Sequence, residues 1–409
     1  MTTTSELPDL LRRLGATDVE HRQDRKRSIS SRTIRFVKDG RRGVAVGADV
    51  AHRIDVFTDL VSLHLDDVDE GLDPTDVWVW FAEHPGDGET PVALRTLASS
   101  TRTLNVHLRA ITLDGELVEP EVQRVPWSDA DHYRYRQWAD LLRAVPEEPP
   151  GLVTALVMGT ERPEYRAYPM LSSRGRRWSI RFEGLQVAVC SATSGVLDVG
   201  KDRADGRISH HRSRWIEIAG AAPITLDLTA ESLGRAVHVL REFADAPGAV
   251  AGVQDEHALE SRILRGAVPL GTPAGEPLEL IREHDVVNWG SQFPTRWGVT
   301  SRAARYLDGM LRVGRTPWAL EMKVAGASGE RYYRHAVHQA VLYRDFIRGA
   351  TPLSHWFDRF NLDQAECEAA VVVPEGGPDE ALERLRAVAT ELGVALMTVP
   401  VEHALRPGA

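Results

Sequence analysis

Apolar and polar positions along this chain fall into short runs broken by Gly, Pro and Asp, the pattern of a protein that mixes strands with helices. Residues 5–15 predict a short helix. The stretch 32–47, containing TIRFVKDGRRGVAVG, predicts a β-hairpin turning at Lys38, Asp39 and Gly40. VWVWFAEH, from Val77, predicts an apolar strand, and Ser128 to Val145 a helix with Ser128 or Asp129 as N-cap. The run PEEPPG from Pro146 predicts a linker. WSIRFEGLQVAVC, from Trp178, echoes the first hairpin, since Ile34-Arg35-Phe36 and Ile180-Arg181-Phe182 each precede a Val-Ala-Val strand. Two similar hairpins explain the echo more simply than a duplicated unit. ITLDLTAESLGRAVHVLREFADAPG then predicts a strand and a helix, and the Pro and Gly residues from Pro247 to Gly252 mark the strongest boundary.

Beyond that boundary the pattern is clearer. DEHALESRILRG has a helical stripe of Leu259, Ile263 and Leu264. RYLDGMLRV, the turn GRTP and WALEMKV predict a hairpin, and HAVHQAVLY lies in a helix. CEAAVVVPE predicts a buried strand, PDEALERLRAVATELG a helix, and VALMTVPVE a last strand. The chain thus divides into an α+β region at 1–148, a second α+β region at 149–250 that repeats one hairpin of the first, and an α/β region at 251–409. The last contains a whole apolar sheet with covering helices, so it is expected to fold by itself.

Composition adds limits. A length of 409 residues suits two or three domains, and 43% hydrophobic with 26% charged residues excludes collagen-like and disordered classes. MTTTSELPDLL lacks a basic segment followed by an apolar one, and no apolar run is long enough to span a bilayer. Two cysteines, Cys190 and Cys367, form neither a disulfide framework nor a zinc pattern. The expectation is a cytoplasmic protein without a membrane partner. Net charge is -10, yet residues 296–348 hold ten basic side chains against four acidic ones, a local surplus suited to a polyanion.

The candidate chemistry sits in the predicted hairpin. Asp308 is placed on its first strand, and Glu321 and Lys323 on the second. Two residues apart, Glu321 and Lys323 share a face, while Leu320, Met322 and Val324 share the other. Charges on an apolar strand need compensation, and two carboxylates can supply it by holding a hard divalent cation. Lysine is rare here: the only four are Lys26, Lys38, Lys201 and Lys323. A Lys kept within an apolar strand of an arginine-rich chain points to a need for a compact ammonium. In the following helix His335, Gln339 and Tyr343 are spaced i, i+4, i+8 on one stripe.

Asp308, then Glu321-Met322-Lys323, then Gln339-Ala340-Val341-Leu342-Tyr343, in this order, resemble the PD-(D/E)XK nuclease superfamily, and its RecB-like branch in particular. The resemblance spans about residues 255–405. One departure is Leu307, where the family pattern has Pro before the Asp. The resemblance implies a restriction-endonuclease-like core, a mixed sheet flanked by helices, behind an N-terminal α+β region of unknown fold. It also implies hydrolysis of phosphodiester bonds in DNA with Mg²⁺ or Mn²⁺. Asp308, Glu321 and the Met322 carbonyl would hold the metal, with Glu260 as the acidic residue of the preceding helix and Glu256, one turn earlier, as its competitor. Lys323 would position water, and Gln339 and Tyr343 would brace the site or contact nucleic acid.

Two other roles fit the same residues. One is a nuclease-fold binding or scaffold protein without turnover, its recognition carried by the N-terminal region. The other, by analogy, is an effector of bacterial anti-phage defence that meets other subunits through residues 1–250. In that region His210-His211 and the acidic run Leu65 to Asp73 read as solvated loops. Trp127, Tyr133, Tyr135 and Trp138 read as core rather than a base-stacking platform. No phosphate-binding Gly loop, zinc pattern or nucleophile elbow occurs there.

Overall fold

A computed structural model describes residues 2–21, 33–50, 54, 56–57, 75–85, 89–120, 133–170, 176–200, 215, 217–246, 249, 256–283, 285–291, 293–295, 305–324, 329–376 and 379–404. The fold is mixed α/β, with three larger sheets in three successive stretches of chain. Helix α1 (Leu7–Arg13) precedes strands β1 (Thr17–His21), β2 (Thr33–Lys38), β3 (Arg41–Val46) and β4 (Asp76–Ala82), helix α2 (Glu89–Ser100), then β5 (Asn105–Ile111) and β6 (Leu117–Val118). These six strands form one sheet in chain order, parallel between β3, β4 and β5 and antiparallel elsewhere. α2 supplies the crossover that a parallel β4–β5 pair requires.

Helices α3 (Tyr133–Ala144) and α4 (Gly151–Gly159) lead into β7 (Tyr165–Pro169), β8 (Arg177–Phe182), β9 (Leu185–Ser191), β10 (Val196–Val199) and β11 (Ile224–Asp227), and α5 (Leu233–Asp245) follows. This second sheet is antiparallel throughout. The two echoing hairpins share their turn chemistry: Asp39 and Gly40 in one, Glu183 and Gly184 in the other, all with positive φ, as a two-residue turn matched to strand twist demands. Their sheets continue differently, one into parallel strands and the other as a meander.

The third stretch holds α6 (Glu256–Leu264), the short pair β12 (Pro294–Thr295) and β13 (Arg305–Tyr306), and the hairpin β14 (Gly309–Val313) and β15 (Thr316–Met322). Then come α7 (Gly329–Gly349), α8 (Ser354–Arg359), β16 (Glu368–Pro374), α9 (Asp379–Glu391), β17 (Ala395–Val399) and α10 (Val401–Ala404). The sheet order is β14-β15-β16-β17, antiparallel in the hairpin and parallel beyond it. Trp356 is buried on α8.

Residues 251–409 close one apolar cluster of their own, with Leu259, Ile263, Leu311, Leu320, Val372 and Val399, but share two others with the rest of the chain. Ala336, Val337, Ala340 and Val341 of α7 pack in one cluster with Val44, Val79 and Phe81 of the first sheet. Leu342, Tyr343, Phe346 and Ile347 join another that contains Trp178, Ile180 and Phe182 of the second. Cutting at 250 would remove the N-terminal side of both shared clusters, at about 1.5–3 kcal/mol for each large apolar side chain left exposed. Independent folding of that stretch is therefore not expected. Glu391 adds a polar clamp, accepting from the backbone N–H groups of Arg102, Thr103 and Leu104 at 2.9, 2.8 and 3.0 Å and from Thr103 Oγ1 at 2.7 Å. Among the described residues no helix is long and apolar enough to cross a membrane.

Candidate metal centre

Three elements converge at one end of the β14–β15 hairpin. Leu307 N donates to Phe293 O at 3.0 Å, continuing the β12–β13 pairing, and the chain then bends at Asp308 into β14. Asp308 therefore lies at the joint between two ladders, not within the first strand of the hairpin. Its Oδ2 accepts from Met322 N at 2.8 Å, which pins the carboxylate to the end of β15. Glu321 lies within β15. Lys323 follows its last residue, although Lys323 N still donates to Val372 O at 2.9 Å. The alternation holds: Lys323 Nζ meets Glu321 Oε1 at 2.6 Å, while Leu320 and Met322 enter a separate apolar cluster with Leu264 and Val372.

Glu256, at the start of α6, completes the group. One carboxylate oxygen each from Glu256, Asp308 and Glu321 lies within 4.8 Å of the others, a spacing that can hold a metal ion. Lys323 Nζ also donates to Glu256 Oε1, and to the Met322 carbonyl at 3.1 Å. Two carboxylates thus share one ammonium, and Asp308 acts on it through space. Glu321 Oε2 is buried and has no hydrogen-bond partner among the described residues. A buried carboxylate oxygen without a donor is costly, and a hard cation is the chemical partner it lacks. The residues present fit a divalent cation on that observation.

Electrostatics agree with the geometry. Burial, reinforced by Glu321 and Glu256, holds Asp308 well above the ordinary carboxylate range against the pull of Lys323. Burial likewise raises Glu321, even though Lys323 and His335 favour its charged form. Burial opposes the Lys323 ammonium, but Glu321, Asp308 and Glu256 outweigh it and push its pKa up. Lys323 stays protonated through the neutral range.

Other sequence candidates sit elsewhere. Glu260 is buried one turn further along α6, where it binds His257 Nδ1 at 3.1 Å and Ser291 Oγ. It bridges α6 and the 285–291 segment, and it is Glu256, the competitor on the same helix, whose carboxylate groups with Asp308 and Glu321. Four residues apart, the two share a helix face, so spacing could not choose between them. Gln339 is half-buried on α7, and Tyr343 is packed in the core with Leu307, Met310 and Ala319. His335, on the same stripe, was not assigned a role from sequence, yet it is near enough to act on Glu321.

The local basic surplus is partly consumed by the fold. Arg312 donates to the carbonyls of Gly314 and Phe360 at 2.6 and 3.1 Å, Arg344 to those of Gly393 and Leu392, and Arg348 to Cys367 O at 2.7 Å. Counting charges along the sequence could not reveal this, because each guanidinium reaches a carbonyl supplied by another element. Trp138 is half-buried against Phe346, with ring centroids 6.3 Å apart. His210-His211, the run 65–73, Trp127, the proposed caps Ser128 and Asp129, and the side chains of Tyr133 and Tyr135 lie outside the described residues.

No protein-family model matches the chain, and no curated protein matches it either.

Proposed function

We propose that Glu256, Asp308, Glu321 and Lys323 form the active site of a divalent-metal-dependent nuclease that hydrolyses phosphodiester bonds in DNA, built on a restriction-endonuclease-like core. The observation that carries this reading is the meeting of three carboxylates and the Lys323 ammonium around a Glu321 oxygen that has no donor among the described residues. The order of elements supports it: helix α6, the β14–β15 hairpin, α7, β16, α9 and β17 follow the sequence that the PD-(D/E)XK resemblance implies. DNA as substrate, and Mg²⁺ or Mn²⁺ as metal, come from that resemblance.

Glu256, Asp308 and Glu321 would hold the cation, with the Met322 carbonyl at the edge of the site. When bound, such a cation acts as a Lewis acid toward a phosphoryl oxygen and lowers the pKa of coordinated water. The protein's own contributions follow from its geometry. Met322 N–H fixes the Asp308 carboxylate, and the sheet fixes Glu321. Lys323, kept protonated by its neighbours, orients water through Nζ–H and stabilises developing negative charge on phosphate; it does not serve as a base at neutral pH. The deep burial of Glu321 and Lys323 excludes bulk water and strengthens these interactions.

Single-turnover cleavage of linear, circular and single-stranded DNA, with Mg²⁺ or EDTA, tests the reading. Glu321→Gln should lose about a thousandfold or more in rate, since an amide is a poor partner for a hard cation. The variant should remain folded. A fully active Glu321→Gln protein, or cleavage unaffected by EDTA, rejects the assignment.

A further inference from the structure

The antiparallel sheet has two unlike faces. Trp178, Ile180 and Phe182 point into the core, whereas Arg166 and Arg181 are direct cross-strand partners on the opposite face of β7 and β8. Like charges set opposite one another repel, a pairing that costs stability unless an anion joins them. Neither guanidinium forms an ion pair with a described residue. Arg166 Nη1 donates to Tyr165 O at 3.0 Å, and Arg181 Nε to Ser179 Oγ at 3.3 Å. The Arg181 guanidinium lies over the Tyr168 ring, 4.4 Å from its centroid, which fixes its plane. Glu164 and Asp285 act on Arg166 only through space, and Arg265 adds a further like charge.

Two contacts set the turn of this hairpin against the helix that carries Glu256. The β8–β9 turn lies against the first turn of α6: Gly184, at φ +81, comes so near the His257 carbonyl that a Cβ would sit 2.2 Å from its oxygen. Glu183, beside it, accepts from Arg262 and Arg265 near the other end of α6. The hairpin that carries Arg181 is thus docked on the helical turn that carries Glu256.

We propose that Arg166 and Arg181 form a phosphate-binding track that leads the phosphodiester backbone of a nucleic acid to the Glu256–Asp308–Glu321–Lys323 cluster. The inference rests on the phosphodiester reading of that cluster and adds where the substrate lies. A planar guanidinium held by an aromatic ring is suited to a phosphate, which can take two N–H donors from one fork.

The test is fluorescence anisotropy of labelled DNA and RNA strands and duplexes with the full chain in EDTA, across a salt series. Arg181→Gln should weaken binding about fivefold or more and reduce the slope of log affinity against log salt by about 1. Arg181→Lys should recover part of the affinity, and Arg235→Gln, an exposed arginine on α5, should change nothing. On the parent protein, DNA but not polyglutamate should protect Arg166 and Arg181 from phenylglyoxal, read by mass spectrometry, so the test does not depend on a variant folding. Unchanged affinity and slope in a folded Arg181→Gln protein, or absence of protection, overturns the track. Binding is read without metal, so the two ideas can fail separately. Arginine-dependent binding without cleavage would remove the nuclease reading, while cleavage with arginine-independent binding would remove the track.

Discussion

Two buried carboxylates reach the same helix and are treated in opposite ways. Glu183 receives Arg262 Nε and Arg265 Nη2, each at 2.6 Å, so both of its oxygens are engaged by guanidinium. Glu321 is buried as deeply, at 2% exposure against 4% for Glu183. It nevertheless has one oxygen without a donor among the described residues and shares a single ammonium with Glu256. Helix α6 serves both groups, giving Glu256 to one and Arg262 to the other. The first arrangement is complete within the folded chain. The second leaves one buried carboxylate oxygen without a donor among the described residues. A buried carboxylate that meets its counter-charges on folding supports the fold, and one left short of them is placed for a ligand.

The most severe way to break the contrast is Glu183→Gln. It leaves two largely buried guanidiniums facing one neutral amide, and loss of one partner from such a group costs about 3–5 kcal/mol. Urea unfolding should show this as a shift in midpoint, whereas Glu321→Gln should show no comparable loss. Equal destabilisation by both would erase the distinction between a structural and a ligand-directed carboxylate.

Lys323→Arg probes the ammonium instead. The longer planar cation keeps the charge but cannot sit between Glu256, Glu321 and the Met322 carbonyl in the same way. Single-turnover cleavage should fall about a hundredfold, equivalent to about 2.7 kcal/mol, with DNA affinity nearly unchanged. Weakened binding with an unchanged cleavage rate would make Lys323 a phosphate contact only.

Proton linkage gives a third test, with a sign set by the raised carboxylates. Asp308 and Glu321 retain protons in the fold at a pH where the unfolded chain has released them. Stability without metal therefore falls as pH rises from about 4, the ordinary carboxylate value, through their raised pKa values. Lys323 works in the other direction: its raised pKa contributes stability fully below about 10.4, and this is lost only as pH climbs through the higher folded value. Mg²⁺ at about a hundred times its dissociation constant should add about 2.7 kcal/mol at pH 8 and much less at pH 5, where the proton competes for the same oxygens. Thermal unfolding at the two pH values reads this directly, and a stabilisation equal at both would argue against these carboxylates as the ligands.

The smallest expected effect is the most pointed. Asp308→Asn keeps an oxygen for Met322 N–H but removes one uncompensated charge, so without metal at pH 8 it should stabilise the protein by about 1 kcal/mol. It should also abolish the stabilisation by Mg²⁺. Calorimetric unfolding with and without Mg²⁺ would check both.

Much of this protein was determined by its sequence alone, because the decisive signals were local. The alternation in WALEMKV set Glu321 and Lys323 on one face and Leu320 and Met322 on the other, and the structure has them so. Lys38-Asp39-Gly40 announced one tight hairpin and the echo from Trp178 a second, and apolar runs located β4, β16 and β17. What tertiary structure decided were the matters that local spacing leaves equal. Glu256 and Glu260 share a helix face, and only packing against β15 and the 285–291 segment assigned one to the cluster and the other to Ser291 and His257. Of the arginines of 296–348, it took the fold to show that Arg312, Arg344 and Arg348 are tied to backbone carbonyls. The boundary near residue 250 is marked by Pro and Gly, yet α7 packs both on β15 and β16 of its own sheet and on α2 of the first stretch, and periodicity records that a face is buried without saying against what.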